Sequence, residues 1–534
     1  MKNRKLVLSP NGLNGIYQKQ VYQNEAFVPD NGYGSLPDGF PAQPDLQPEI
    51  SIIRDSSDKG IPLQQRKLPH RETIGLKKSI SLVTSFSLLV AMVGHVSIFI
   101  TPTSIFKNSG SVGVSLIIWL IGGLGNLLQA LITLELAAMF PACGGVYLYV
   151  QEILGPLPAF IILWGYNLLI VGPFWAFLSY TASLYILKIH FLTCDPPDFP
   201  VRLLAGWILL TVVALNCVYT RFVTKCQSVM AATKIITLLL VISGGIFSLS
   251  QGEIENFKEP FENSKTDVAS LVLAVLYSIF SYGGWAIIAA LSEDMKNSAR
   301  DLPKAILLTF FILITSYILI NAAYYTTLSP YEIINSSSVA LDFTRHIYEP
   351  LTSLTSVLVA ISSIGALIAA VLAQPRLLFA AAKFGHSPTI MRMLHERFKT
   401  PWLANFALCI WALVMLFTGE SQHFMEILGT FTVYSAININ LCHLYYRWKA
   451  PDVKRPYKVN ISIPIFQLIF NIFVMTAAIY SSRNSVALSV SLLLAAIPVY
   501  WICISWKKKP KNFQEFLNKS SIILQKLFNM RVAA

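Results

Sequence analysis

Long apolar runs separated by short polar stretches fill the chain from about residue 80 to residue 505. A helix needs about 20 mostly apolar residues to cross a bilayer, and most of these runs reach that length. A membrane-spanning barrel would instead show segments of about ten residues with alternating polarity. We therefore predict an all-helical membrane protein with twelve spans, near residues 80–105, 112–139, 157–187, 202–219, 228–250, 267–291, 304–327, 352–380, 402–419, 424–446, 463–481 and 485–505.

The two ends of the chain lack this pattern. Residues 1–79 are polar, and no apolar segment typical of a secretory signal follows Met1. Residues 28–48 contain many Pro, Gly and Asp residues, a composition typical of disorder. We expect a largely disordered tail at 1–79, one membrane domain at 80–505 and a basic tail at 506–534.

Lys and Arg residues are distributed unequally among the predicted loops. With the N-terminus in the cytosol, the inner loops contain fourteen of them and the outer loops seven. Cytosolic loops of membrane proteins carry such an excess, so we expect both termini to be cytosolic. The net charge of +13 then reflects membrane topology, and we expect the lipid bilayer and no nucleic acid as a partner. Charged residues make up only 13% of the chain, about half the share in soluble domains, which agrees with a membrane protein.

Two of the predicted spans contain residues that interrupt helices. Span six contains consecutive glycines in the segment Phe280-Ser281-Tyr282-Gly283-Gly284-Trp285, and span one contains Gly94 and Pro102. One interpretation is that small residues only allow neighbouring helices to pack closely. The other is that both helices unwind and expose backbone groups to a ligand. Interrupted spans at corresponding positions of two halves indicate a transport site.

Three ionisable residues lie within the predicted spans. Lys234 is two turns into span five, where it either marks an ion or coupling site or extends its amine to the inner surface. Glu135 ends span two, so we expect it at the membrane interface. His95 is either a satisfied core residue or part of the break in span one.

The seven cysteines form no CxxC pair, so we expect no zinc site, and we expect no other metal site or cofactor. Cys194 lies in a predicted outer loop and is either one end of an intermolecular disulfide or a free thiol. Asn335-Ser336-Ser337, also in an outer loop, is a glycosylation sequon that need not be used. The chain contains no HExxH motif, no GxSxG motif and no paired carboxylates within the spans, so we do not expect an enzyme.

Several short motifs follow one another in a defined order from about residue 78 to the end. They are Ile98-Phe99-Ile100-Thr101-Pro102, Glu135-Leu136, Gly144-Gly145-Val146-Tyr147, Leu157-Pro158-Ala159-Phe160, Thr193-Cys194, Tyr282-Gly283-Gly284-Trp285, Arg300-Asp301-Leu302-Pro303, Pro375-Arg376-Leu377 and Arg455-Pro456-Tyr457-Lys458-Val459. In this order they resemble the L-type amino acid transporter family, the light chains of heteromeric amino acid transporters in the amino acid–polyamine–organocation superfamily.

The resemblance implies a LeuT-like fold of two inverted five-helix repeats followed by two C-terminal helices. It implies that an α-amino acid binds where helices one and six unwind, with Phe280 as an aromatic gate. The implied substrate-binding positions are Val93, Gly94, His95, Val96, Ser97, Phe280, Ser281 and Gly283. Lys234 matches a lysine that stands where sodium-coupled relatives bind an ion. Cys194 matches the cysteine that bridges to a glycosylated single-span heavy chain.

The chain departs from the family pattern around this site. His95-Val96-Ser97 replaces the usual Gly-Ser-Gly, Ala286 stands where many relatives have Asn, and Gly172 stands where some have Arg. We predict a sodium-independent exchanger of the plasma membrane that works by alternating access. Neutral amino acids are the expected substrates because no acidic residue lies at the break. The alternative is a non-transporting sensor or scaffold that kept the fold and modified the site.

Overall fold

The structure is a computed structural model, and it describes residues 82, 85–86, 89–90, 93, 96–140, 144–191, 194–285, 288, 298–398, 400–419, 421–453, 455–481, 483–506 and 511–532. These residues all belong to one compact unit, Ile74–Ala534. The expected N-terminal tail at 1–79 lies outside them, as do Gly94, His95 and Ala286.

Helices make up almost all of the described secondary structure. After a 3-10 turn at Val96–Phe99, the first nine helices are α1 (Thr101–Ser109), α2 (Val112–Met139), α3 (Gly145–Ile153), α4 (Pro156–Gly165), α5 (Gly172–Lys188), α6 (Asp198–Val218), α7 (Thr220–Ser250), α8 (Glu255–Lys258) and α9 (Val268–Ser281). The others are α10 (Ser298–Thr327), α11 (Pro330–Asn335), α12 (Val339–Ile347), α13 (Glu349–Ala373), α14 (Pro375–Lys383), α15 (Trp402–Thr418), α16 (Ser421–Lys449), α17 (Ser462–Ser481), α18 (Arg483–Val499) and α19 (Lys511–Phe528). π-helical turns at Tyr166–Val171 and Tyr500–Ser505 continue α4 into α5 and extend α18.

Many of these helices are long and apolar enough to cross a membrane. Within the described ranges, nine segments meet that requirement, and two shorter apolar helices, Val268–Ser281 and Trp402–Thr418, accompany them. A multi-span helical membrane protein is therefore confirmed. The count of twelve spans and the two inverted repeats stay predictions.

Local sequence signals explain where several helices begin and end. The Ser111 side chain caps α2 by accepting a hydrogen bond from the Val114 amide at 3.4 Å, and α2 has the bounds predicted for span two. Pro102 lies in the first turn of α1, where its missing N–H costs nothing, so it begins a helix and does not kink one. Residues 220–227, which we predict as an inner loop, are helical, because α7 begins at Thr220, whereas its apolar part begins at Ala232. That stretch contains no Gly or Pro to stop a helix, so the helix extends beyond its apolar part.

The helices pack around α5, which contacts α6, α13 and α15. Helix α7 packs against α10 and α13, and α9 packs against α1, α2 and α17. This arrangement places the short helix α1 and the end of α9 side by side in the interior of the helix bundle.

Two short strands lie outside the helical bundle. β1 (Met393–His395) precedes α15, β2 (Met530–Val532) follows α19, and the two pair in antiparallel register with Leu394 opposite Arg531. The pairing joins the C-terminal tail to the connection between α14 and α15.

Candidate functional site

The helix of span one is interrupted just before α1. Val96 and Ser97 lie in the 3-10 turn, and the Ile100 amide donates to the Ser97 carbonyl at 2.8 Å. Val93, Val96 and Ser97 are buried, and the Ser97 hydroxyl has no hydrogen-bond partner. A buried hydroxyl without a partner is unfavourable, so this group is available to a ligand.

The second interruption follows α9. The last turn of α9 carries Phe280 and Ser281, and the chain then continues without helical structure to Trp285. The Gly283 amide donates to the Phe280 carbonyl at 2.9 Å, which closes a tighter turn than the α-helix allows. Gly284 has φ +99°, a backbone conformation that residues with a Cβ atom rarely adopt, so the glycine allows the chain to leave the helix.

A hydroxyl pair joins the two interruptions. Thr101 Oγ1 and Ser281 Oγ lie 2.8 Å apart, and each also lies 2.9 Å from a carbonyl one turn earlier, that of Ser97 and that of Tyr277. The single hydrogen of each hydroxyl is therefore shared between its carbonyl and the other hydroxyl. The structure therefore brings the predicted residues Ser97 and Ser281 into one hydrogen-bonded group. Thr101 belongs to the motif Ile98-Phe99-Ile100-Thr101-Pro102 but is not among the predicted site residues. Its signal in the sequence was a hydroxyl one helical turn after Ser97.

Phe280 closes the site against α5. Its ring meets the ring of Phe177 edge to face, with centroids 5.6 Å apart, and the Phe280 side chain is 3% exposed. The Tyr185 hydroxyl of α5 donates to the Phe99 carbonyl at 3.1 Å, which attaches α5 to the turn in span one. The described site residues Val93, Val96, Ser97, Phe280 and Ser281 are each at most 3% exposed, so they are buried in the protein.

Lys234 reaches the same region from α7. Its side chain is 4% exposed, and Nζ donates to the Val90 carbonyl at 3.2 Å. The amine therefore ends inside the protein beside span one. It does not reach the membrane surface, which excludes the interpretation that Lys234 extends to the interface.

The loop that carries Cys194 is held in place by its neighbour. Asp195 accepts hydrogen bonds from Lys188 and Ser337, each at 2.6 Å. The bond from Lys188, helped by the one from Ser337, lowers the pKa of the Asp195 carboxyl below its usual value. Cys194 itself is exposed, so its thiol is open to a partner. Asn335, at the exposed end of α11, lies two residues from Ser337 and therefore near the same loop.

Glu135, which we predict at the inner membrane interface, is buried within the protein. Its side chain is completely buried and accepts two hydrogen bonds from Arg447, at 3.0 and 2.6 Å, and one from the Val459 amide at 2.7 Å. His443 and Arg455 lie 3.1 and 3.4 Å from its oxygens. The carboxylate is inside because distant segments supply these partners, and nothing next to it in the sequence indicates them.

Comparisons with known proteins show the family of the chain. A family model described as amino acid permease matches residues 80–504. The chain is 32% identical over 464 residues to the large neutral amino acids transporter small subunit 2 of Homo sapiens, covering 85% of each chain. It is 31% identical to the cystine/glutamate transporter of Homo sapiens, covering 87% of this chain and 92% of the relative. It is 30% identical to the Asc-type amino acid transporter 1 of Homo sapiens, covering 82% and 85%.

Proposed function

The chain belongs to the amino acid permease family, among the light chains of heteromeric amino acid transporters, and we propose that it exchanges neutral α-amino acids without sodium. The contact between the two helix interruptions carries this proposal. Thr101 and Ser281, 2.8 Å apart, join the two helix ends that border the interruptions. Such interruptions offer backbone N–H groups to a carboxylate and backbone carbonyls to an ammonium group.

The described walls of the site favour an uncharged substrate side chain. Val93, Val96 and Phe280 are apolar, and Ser97 and Ser281 contribute only hydroxyls. A charged side chain would lose its hydration here without gaining a counter-charge from these residues. The names of the relatives include large neutral amino acids as well as cystine and glutamate, so the apolar residues of the site, and not these names, favour a neutral substrate.

Counterflow into proteoliposomes tests the transport proposal. Vesicles loaded with one neutral amino acid should take up labelled neutral amino acids faster than lysine or glutamate. Thr101→Val should slow uptake by roughly three- to tenfold, because it removes the hydroxyl pair. Thr181→Val is the matched control, since that buried hydroxyl bonds only within its own helix, to Phe177. Absence of counterflow with every amino acid tested would contradict the transport proposal and favour the sensor alternative. The relatives, which are named as transporters, do not support that alternative.

Lys234 supports the sodium independence. A fixed ammonium group that bonds the Val90 carbonyl joins α7 to span one, as a bound cation would in a sodium-coupled protein. Uptake should therefore persist when choline replaces sodium. Lys234→Met should lower uptake at least about fivefold, because the carbonyl is left unpaired. Lys304→Met, at an exposed position of α10, should not. Strict sodium dependence of the wild type would contradict this role.

Cys194 is the proposed link to a glycosylated single-span heavy chain at the plasma membrane. The thiol is exposed in a loop held by Asp195. Non-reducing electrophoresis of native membranes should show a large band that disappears on reduction and is absent in Cys194→Ser. Cys503→Ser is the matched control, because Cys503 is also exposed. A band that survives Cys194→Ser would place the bridge elsewhere.

We place both termini in the cytosol and Cys194 outside the cell. A membrane-impermeant thiol reagent, added to intact cells that express this protein without a heavy chain, should label Cys194 of the wild type. Loss of labelling in Cys194→Ser would support this orientation, and equal labelling of the two proteins would oppose it. The same orientation leaves the sequon at Asn335 open to glycosylation, which digestion with a glycosidase tests.

A further inference from the structure

A small cleft lies behind the interruption of α9. It is lined by residues from α2, α9, α16 and α17, and by Trp285, which follows the glycine pair. Amide side chains reach it from two helices, Asn126 and Gln129 from α2 and Gln467 and Asn471 from α17. Each of these four residues is at most 3% exposed. Among the described residues that line the cleft, none carries a charge.

Three side-chain amide atoms of residues that line the cleft have no hydrogen-bond partner. They are Gln129 Nε2, Gln467 Oε1 and Asn471 Nδ2. The orientation of two of these amides is fixed by their other ends. Gln129 Oε1 accepts from Asn440 at 3.2 Å, and Gln467 Nε2 donates to the Gly125 carbonyl at 3.1 Å. The cleft therefore holds two unused donors and one unused acceptor, and each would be costly if left unpaired in a bilayer.

These groups match one water molecule. A buried water typically makes about three hydrogen bonds, and the free space in the cleft is about that of one water. We propose that the cleft is a water-binding site. The water accepts from Gln129 and Asn471 and donates to Gln467. A metal cation does not fit because two of the three free groups are donors, and an anion does not fit because no positive charge lines the cleft.

The cleft is connected to the site through Asn126. Because the Gly283 amide bonds to Phe280, the Ile279 carbonyl loses the partner that a continuing helix would give it. Asn126 Nδ2 supplies a replacement at 3.2 Å and also donates to the Gly122 carbonyl at 2.9 Å. Asn126 is thus a positioning residue: it stabilises the interrupted end of α9 by bonding the Ile279 carbonyl. Asn126 also lines the cleft that contains the proposed water site.

The proposed water lies beside the interrupted segment, since Ile279 and Trp285 line the same cleft. Alternating access requires the chain after α9 to change position, and carbonyls released in that movement need a donor at once. The water donates one hydrogen to Gln467 and keeps its second hydrogen free, and a carbonyl released beside the cleft can accept that hydrogen. This role in transport rests on the proposed function, whereas the water site itself does not.

Two measurements on the full-length protein test the two parts separately. A high-resolution electron cryomicroscopy map of the wild type in nanodiscs should show one density peak within hydrogen-bond distance of Gln129, Gln467 and Asn471. A dry cleft overturns the water site, whether or not the protein transports amino acids. Asn471→Leu and Gln129→Met, which replace the donors with apolar groups of similar size, should remove the peak.

Turnover in counterflow tests the role of the site. Asn126→Leu should lower turnover about tenfold and Asn471→Leu about threefold, with little change in the substrate concentration for half-maximal uptake. Asn438→Leu is the matched control, because its amide bonds only to its own helix at Tyr434. If the density peak disappears in Asn471→Leu and Gln129→Met but both variants keep wild-type turnover, the water has no role in transport. The water site itself would still be supported. Wild-type protein without any counterflow would refute the proposed function and leave the density measurement decisive for the site.

Discussion

Glu135 is the residue whose loss should cost the most stability. Arg447 and Arg455 are 10% and 6% exposed in their side chains, and both have Glu135 as a counter-charge. Glu135→Gln should lower the free energy of unfolding by about 3–5 kcal/mol, because two cations stay buried without their partner. Thermal melting of the purified protein in detergent measures this. Glu349→Gln, at an exposed position in the first turn of α13, should melt like the wild type. Equal melting of the Glu135 variant would show that the network contributes nothing.

His386 should make stability depend on pH. It lies between α14 and α15, and Tyr147 Oη lies 3.0 Å from its Nδ1. Burial lowers the pKa of His386 from 6.5 to about 4. Between these values the unfolded chain binds a proton that the folded protein does not, so stability falls as pH drops from about 6.5 towards 4. His386→Gln keeps an acceptor for Tyr147 and removes the titration. Its melting temperature should fall less than that of the wild type between pH 7 and pH 4.5, and parallel curves would contradict the assignment.

At the scale of elements, the paired strands hold the C-terminal tail against the body of the protein. Met530 is 4% exposed, Arg531 bonds Glu396 at 2.7 Å, and the Glu396 amide donates to the Asn529 carbonyl at 3.1 Å. Phe528, the last residue of α19, meets Phe406 of α15 with ring centroids 6.3 Å apart. Helix α19 is therefore fixed at its end, although Ile523 and Leu527 on it are more than half exposed.

Removing β2 should release this helix. Deletion of residues 530–534 should speed trypsin cleavage after Lys519 and Lys526 several-fold, because isolated helices of this length are only marginally stable in water. Deletion of Ala533 and Ala534 alone should not change the rate, since both follow the strand. Mass spectrometry of the fragments over time gives both rates. Identical rates for the two truncations would mean that the strand pairing does not hold α19.

At the scale of the whole molecule, small residues set how closely the long helices approach. A Cβ atom on Gly245 of α7 would lie 2.3 Å from the Cβ of Ala323 and 2.8 Å from its Cα, on α10. Gly245→Ala should therefore push α7 and α10 apart and lower the free energy of unfolding by about 1–3 kcal/mol. Gly206→Ala is the control, because its nearest new contact lies at 3.7 Å. The melting temperatures of the two variants decide the prediction, and equal values would show that α10 can move without cost.

Much of the fold followed from the sequence alone. Span two was predicted at the residues where α2 begins and ends, and the family was identified from motifs such as Tyr282-Gly283-Gly284-Trp285. Both results depend on local properties, since a bilayer requires a fixed length of apolar chain and a glycine pair weakens a helix wherever it stands. The boundary of α7 was missed because its first turns are helical without being apolar.

The partners across the fold were decided only by the tertiary structure. Thr101 meets Ser281 across 180 positions of sequence, Glu135 meets Arg447 across 312, and Asn126 meets Ile279 across 153. Each of these polar groups lies in or beside an apolar span. The hydrophobic pattern of the sequence shows that the group is polar, but not which residue it bonds. A buried polar group is stable only if a partner from another helix reaches it, and that depends on how helices cross. The sequence therefore determined which segments are buried in the membrane, whereas helix packing determined which polar groups meet there.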